Sequence, residues 1–201
     1  MYESLLVDEK IDPRILRTRA LLGQAFTDLV AEKGFQAISV QDITQKAGVN
    51  RTTFYLHFTD KYALLDYSIQ QGFQSALEKR MLNVCKFSPE NLHTLIVTVA
   101  EFIASANARC AYLDAQFEAL VETQAKKQIQ AVLVIWLDGI GAHPDANTAA
   151  IAASWAIYGL AQGWSHDKKG TDVEQFAAKN LPLILSILGQ AETAGAESLH
   201  V

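Results

Sequence analysis

An all-α fold is expected for this chain, and three features of its sequence point to it. Half of the residues are hydrophobic (50%), too large a share for a disordered chain. They recur at helical spacing, as in Leu22, Phe26, Leu29 and Val30, and no run alternates apolar with polar residues for long. Gly and Pro, which interrupt helices, fall mainly at junctions between apolar stretches. About nine helices fit this pattern. The expected division is a three-helix head over residues 1–60, a helical body over 61–189 entered through a bridging fourth helix, and a frayed tail over 190–201.

The elements follow from local chemistry. Asp12-Pro13 opens the first helix: a capping carboxylate, then a proline whose missing N–H would have had no partner there. Gly34 ends it. Ser39 and Asp42 have the spacing of a capping box for the second helix, with Val40, Ile43 and Ala47 on one face. Gly48 supplies the turn, because a left-handed backbone is cheap only without a Cβ. Asn50 caps the third helix, and Thr59 is the expected cap of the fourth, which runs through Leu64, Leu65, Ile69 and Phe73. Ser88-Pro89 opens the next, from about Glu90 to Ala106. A long helix is expected from about Tyr112 to Asp138, ending before Gly139 and Gly141. His143-Pro144 opens an alanine-rich helix that ends near Trp164. Thr171 with Glu174 reads as the capping box of the last, which runs to Leu188 with a kink expected at Pro182.

Composition narrows the function. The longest apolar run, Ala131 to Leu137, is too short to cross a bilayer, and Met-Tyr-Glu-Ser carries no basic leader, so a soluble cytoplasmic chain is expected. Cys85 and Cys110 lack CxxC spacing and read as reduced, buried thiols. His57, His93, His143, His166 and His200 have no partner at helical spacing, so no metal is expected. No Ser-His-Asp arrangement and no phosphate loop stands out, which argues against an enzyme and against a cofactor. The net charge of −5 hides an asymmetry. Residues 14–61 are basic on balance, with Arg14, Arg17, Arg19, Lys33, Lys46, Arg51 and Lys61 against Asp28, Glu32, Asp42 and Asp60, whereas the flanks are acidic. A small nucleic-acid module on an acidic body has this distribution.

The segment Ser39 to Lys61 is the most informative. It reads as helix, glycine turn, second helix, and a new helix start. The second of these helices groups Arg51, Thr52, Thr53, Tyr55 and His57 around Phe54 and Phe58. Two aromatic anchors then hold the helix while hydroxyls and cations are left for phosphates and base edges. Each residue also has an ordinary reading: Arg51 and Tyr55 as solvated surface side chains, His57 as a packing histidine. Arg14, Arg17 and Arg19 read either as a solvated helix face or as contacts to a nucleic-acid backbone.

Across residues 14–65 the chain resembles the tetracycline-repressor (TetR/AcrR) family of bacterial transcription regulators. The matching elements are Ala25-Phe26, Gly34-Phe35, Ser39-Val40 before Asp42-Ile43, Ala47-Gly48-Val49, Thr53-Phe54-Tyr55-Leu56-His57-Phe58, and Lys61 with Leu64-Leu65. The resemblance implies a regulator that binds a near-palindromic double-stranded DNA operator as a homodimer, most simply a repressor released by an unidentified small-molecule effector. It implies phosphate contacts at Thr53, Tyr55 and Lys61, base-facing positions at Arg51 and Thr52, and DNA contacts at Gln41 and His57. Thr44 departs from the family's usual alanine; its hydroxyl is expected to bond back to the Val40 carbonyl. The alternatives are a helical enzyme or a protein-binding adaptor that carries a helix-turn-helix.

The body offers two weaker patterns. Ala149, Ala152, Ala156, Gly159 and Gly163 make a stripe of small residues at helical spacing, either close packing within one chain or a dimer seam. With Trp155 and with Ile184 and Ile187 of the last helix, the stripe resembles the family's dimer interface. Candidate effector contacts are His93, Phe102, Tyr112, Phe117 and Trp136, polar or aromatic residues within apolar helices.

Overall fold

The computed structural model describes residues 12–80, 86–109, 115–140, 145–167, 170 and 172–189. Among the described residues there are eight helices and no strand: α1 (Pro13–Lys33), α2 (Val40–Ala47), α3 (Arg51–His57), α4 (Lys61–Arg80), α5 (Pro89–Arg109), α6 (Ala115–Ile140), α7 (Ala146–His166) and α8 (Val173–Ile187). The chain divides into two compact units. One takes the described residues up to Gln71 together with those of 108–121; the other takes 72–107 and those from Glu122 onward. The boundary at Gln71 lies inside α4, so one continuous helix carries residues of both units.

The first unit is assembled by caps as much as by its core. Asp12 accepts the Arg14 N–H at 2.8 Å. The Ser39–Asp42 capping box is formed in both directions, with Ser39 N–H to Asp42 Oδ2 at 2.8 Å and Asp42 N–H to Ser39 Oγ at 3.2 Å. The Ser39 hydroxyl and backbone N–H, and then Lys33 beside it, hold the Asp42 carboxyl at about 2, against an ordinary 3.8. Gly48 sits at φ 68°, ψ 29°, a left-handed turn that a side chain would strain. Asn50 Oδ1 accepts from the Thr53 N–H at 2.7 Å. The α4 cap is Asp60 rather than Thr59: its Oδ1 accepts the N–H groups of Tyr62 and Ala63, each at 2.8 Å. Thr44 is buried, and its hydroxyl donates to the Gln41 carbonyl, not to that of Val40.

Leu22, Phe26, Leu29 and Val30 of α1 are buried, as are Ile43, Phe54, Phe58, Leu64 and Leu65. Phe35, just after α1, is the hub of an aromatic cluster. Its ring lies 6.0 Å from Phe26, 5.1 Å from Tyr62 and 5.8 Å from Phe117 between centroids. Such edge and tilted contacts add to the area that the rings bury.

The second unit has one core, built by Phe73, Leu95, Ile96 and Val99 with Ile129, Leu133 and Trp136, and closed by Ala150, Ala153 and Ile157 of α7 and Phe176, Ile184 and Leu188. Helix α6 continues through Gly139 to Ile140. Asp145 caps α7, accepting from the Thr148 N–H at 3.1 Å, and Asp172 caps α8. Helix α8 carries Pro182 in its interior. Proline removes the N–H that would bond the Ala178 carbonyl, and both residues are exposed, which leaves that carbonyl to water. Cys85, Cys110, His143, Pro144, Thr171 and the segment 190–201 lie outside the described residues.

Candidate nucleic-acid interface

Helix α3 is seven residues long and would not hold its shape alone. Its fixed points are Asn50 at the start, Phe54, which is fully buried, and Phe58 at the end, buried with its ring 5.9 Å from that of Phe54. With those two rings inward, Arg51, Thr52, Tyr55 and Leu56 are exposed. Gln41 of α2 is exposed too. Two ridges of side chains one helical turn apart result. One is Arg51 and Tyr55, joined by a long contact from Nη2 to the phenol oxygen at 3.5 Å. The other is Thr52 and Leu56.

The remaining expected contacts are placed differently. Thr53 is half-buried, and its hydroxyl donates to Asn50 Oδ1 at 2.9 Å, so it donates to a phosphate only by giving up that side-chain bond. His57 is half-buried. Burial pushes its pKa below the usual 6.5, and the nearby Arg19 guanidinium pushes the same way, so at neutral pH it offers a neutral imidazole and not a cation. Lys61 departs most from expectation. Its ammonium donates to the carbonyls of Phe35 at 3.1 Å, Gln36 at 3.3 Å and Ile38 at 3.0 Å, with the Phe35 ring 4.5 Å away. Three donors meet three carbonyls, so Lys61 braces the turn after α1 and has no N–H left for a phosphate.

Arg19 is also drawn inward. Its guanidinium lies 6.0 Å from the Phe58 ring and 5.7 Å from that of Tyr67, a cationic clamp on the end of α3. Arg14 and Arg17 stay exposed on α1. Sequence reasoning missed Leu56, which is 78% exposed. The signal was available in its spacing: it stands four residues after Thr52 and two from each of Phe54 and Phe58, which turns it to the helix face opposite the anchors.

The candidate effector contacts do not form one group. Phe102 packs edge-on to Phe73 at 5.4 Å, and the buried Trp136 packs edge-on to Phe87 at 6.2 Å. His93 lies beside Glu174, with Nδ1 3.7 Å from the carboxylate. Phe117 is counted in the first unit and packs on Phe35, while Tyr112 lies outside the described residues. Of the residues expected at a dimer seam, Ala152, Trp155, Gly159 and Gly163 are exposed, and Ala156 and Ile187 are half-buried. Ile184 is corrected: it is fully buried in the core of its own chain and cannot meet a second copy.

Comparison with known proteins agrees with this geometry. Residues 24–67 match the family model for bacterial regulatory proteins of the tetR family. YxbF of Bacillus subtilis (strain 168), an uncharacterized HTH-type transcriptional regulator, is 43% identical over 66 residues, which is 32% of this chain and 17% of that protein. DhaS of Lactococcus lactis subsp. lactis (strain IL1403), the HTH-type dhaKLM operon transcriptional activator, is 36% identical over 56 residues, 28% of this chain and 30% of that protein. The matched stretch thus spans less than a third of these curated relatives. Solved structures extend the likeness over the whole fold. A TetR-family regulator from Streptomyces coelicolor A3 superposes with a TM-score of 0.59 at 16% identity, covering 87% of this chain and 96% of that one. FadR from Bacillus subtilis, solved in complex with stearoyl-CoA, gives 0.54 at 17% identity over 83% and 97%. The helix-turn-helix, its caps and its aromatic anchors thus lie in a segment, residues 24–67, that matches the DNA-binding region of bacterial regulatory proteins of the tetR family.

Proposed function

We infer that this protein is a DNA-binding transcription regulator that grips a near-palindromic operator as a homodimer, represses from it, and is released by a small-molecule effector. The observation that carries the DNA reading is α3, clamped by Phe54, Phe58 and Arg19, with Arg51, Thr52, Tyr55 and Leu56 turned outward. A helix held this way enters a major groove as a rigid body, its backbone spared the entropy of ordering. The DNA-contacting set is Gln41, Arg51, Thr52, Tyr55 and His57, with Arg14 and Arg17 at the phosphates. Tyr55→Phe is expected to weaken specific and random duplexes alike, by about 1 kcal/mol. Arg51→Ala is expected to flatten the preference at one base pair by about 1–3 kcal/mol. Titration of both variants against a selected operator and a scrambled duplex checks this; equal losses for Arg51→Ala on the two would remove it from the base-reading set.

Dimerisation is supported by α7 and α8. A Cβ added at Gly159 or Gly163 would meet nothing within 4 Å in this chain, so internal packing does not require glycine there. Small residues in open space permit a second helix to approach closely. Trp155 at 61% and Leu183 at 51% exposure add apolar area on these two helices. Gly159→Leu leaves the single chain intact and is expected to halve the sedimentation mass; an unchanged mass would return the stripe to a role within one chain. Two heads then read two half-sites roughly 34–36 Å apart, or a multiple of it.

An effector acts only through its differential affinity for conformations that fit or miss this spacing. FadR of Bacillus subtilis holds stearoyl-CoA. For this chain a binding site is proposed within the second unit, whose helices carry His93, Phe102 and Trp136 at separate places. Activation is the second reading, supported by the likeness of the head to that of DhaS, which is named as an activator. A reporter placed behind the selected operator, with and without the protein, decides the sign.

A further inference from the structure

Leu56 is the most exposed large hydrophobic residue among those described, at 78%, and it lies in the middle of the surface assigned to DNA. Nothing among the described residues covers it. The next residue but one, Phe58, is buried, as is Phe54, so the helix already has its apolar anchors. The neighbouring ridge, Arg51 and Tyr55, is polar. On its own ridge, Leu56 stands one turn beyond Thr52, whose side chain ends in one methyl and one hydroxyl.

In a major groove the largest apolar group is the C5 methyl of thymine; cytosine offers only a C5–H at the same place. An exposed leucine carries no hydrogen-bonding group, so any other base edge facing it would lose water and gain no partner. Against a thymine methyl, the same side chain gains buried apolar area on both sides. We propose that Leu56 reads a thymine C5 methyl in each half-site, with Thr52 beside it, so that this chain's operator prefers thymine there. The proposal rests on the DNA-binding reading above and adds a specificity determinant to it.

Deoxyuridine differs from thymidine only by that methyl. Duplexes selected by the wild-type protein from a random pool are resynthesised with each thymine replaced in turn by deoxyuridine, and affinities are measured for wild type, Leu56→Ala and Leu56→Met. One position per half-site is expected to weaken wild-type binding about fourfold on losing its methyl. Leu56→Ala should bind both duplexes equally there, and Leu56→Met, which keeps an apolar side chain, should retain the difference. Because Leu56 is so exposed, both variants should melt with the wild type. If deoxyuridine is tolerated everywhere, or if Leu56→Ala loses affinity yet keeps the methyl discrimination, the assignment of Leu56 is overturned while DNA binding stands. If no duplex is selected at all, the DNA-binding reading and this inference fall together.

Discussion

Phe54→Ala is expected to unfold the DNA-binding head, lowering its stability by about 3–5 kcal/mol. The ring is fully buried, and it contacts both the Tyr55 ring, at 5.5 Å, and the Phe58 ring, at 5.9 Å. Truncation loses the transfer energy of the ring and opens a cavity beneath a helix of seven residues, too short to survive without that contact. Urea unfolding followed by circular dichroism should show an early transition absent from wild type, and operator binding should vanish with it. The comparison with Tyr55→Phe is diagnostic. That variant keeps the ring and the melting curve and loses only affinity. A Phe54→Ala protein that melted like wild type would show that the helix is held by something other than its aromatic anchors.

The second large effect is expected at Lys61. Replacing it by Met keeps the apolar stem and deletes the ammonium that bonds the carbonyls of Phe35, Gln36 and Ile38. Hydrogen bonds to a charged group are worth about 1.5–3 kcal/mol net, and the Phe35 and Ile38 side chains whose backbone it holds are buried. Lys61→Met should therefore lower the melting temperature of the head, while the slope of log affinity against log salt, measured well below that temperature, stays where it was. A phosphate contact predicts the opposite: unchanged melting and a slope smaller by about one counterion. The two measurements separate the roles in a single variant.

How much of this was legible beforehand depended on the range of the interaction. The Ser39–Asp42 box, the left-handed Gly48 and the Asn50 cap all formed as read, because each joins residues at most three apart. The anchors Phe54 and Phe58 were legible too, since helical spacing alone turns them to one side. Where two cap-forming residues stood side by side, at Thr59 and Asp60, local chemistry could not choose between them. Thr44 found the carbonyl three residues back instead of four, a choice set by its rotamer.

Long-range partners changed the assignments of charged and aromatic groups. Lys61 is separated by more than twenty residues from the carbonyls it bonds. Arg19 meets Phe58 and Tyr67 from another helix, and there it adds to burial, the larger cause, in lowering the pKa of His57. Phe117 is taken up by Phe35, from far along the chain. Ile184 has the helical spacing of a surface contact and is instead enclosed by its own core.

The sequence by itself determined the helical class, the helix-turn-helix with its caps, and the likeness of residues 24–67 to the tetR family, because those depend on side-chain period and on contacts within one turn. Only the tertiary structure decided which cations are free to meet DNA and which are committed to the protein. It also decided that Leu56 faces water, and that the glycines of α7 face open space. Whether a side chain is free depends on neighbours brought to it from distant parts of the chain, and no local pattern records them.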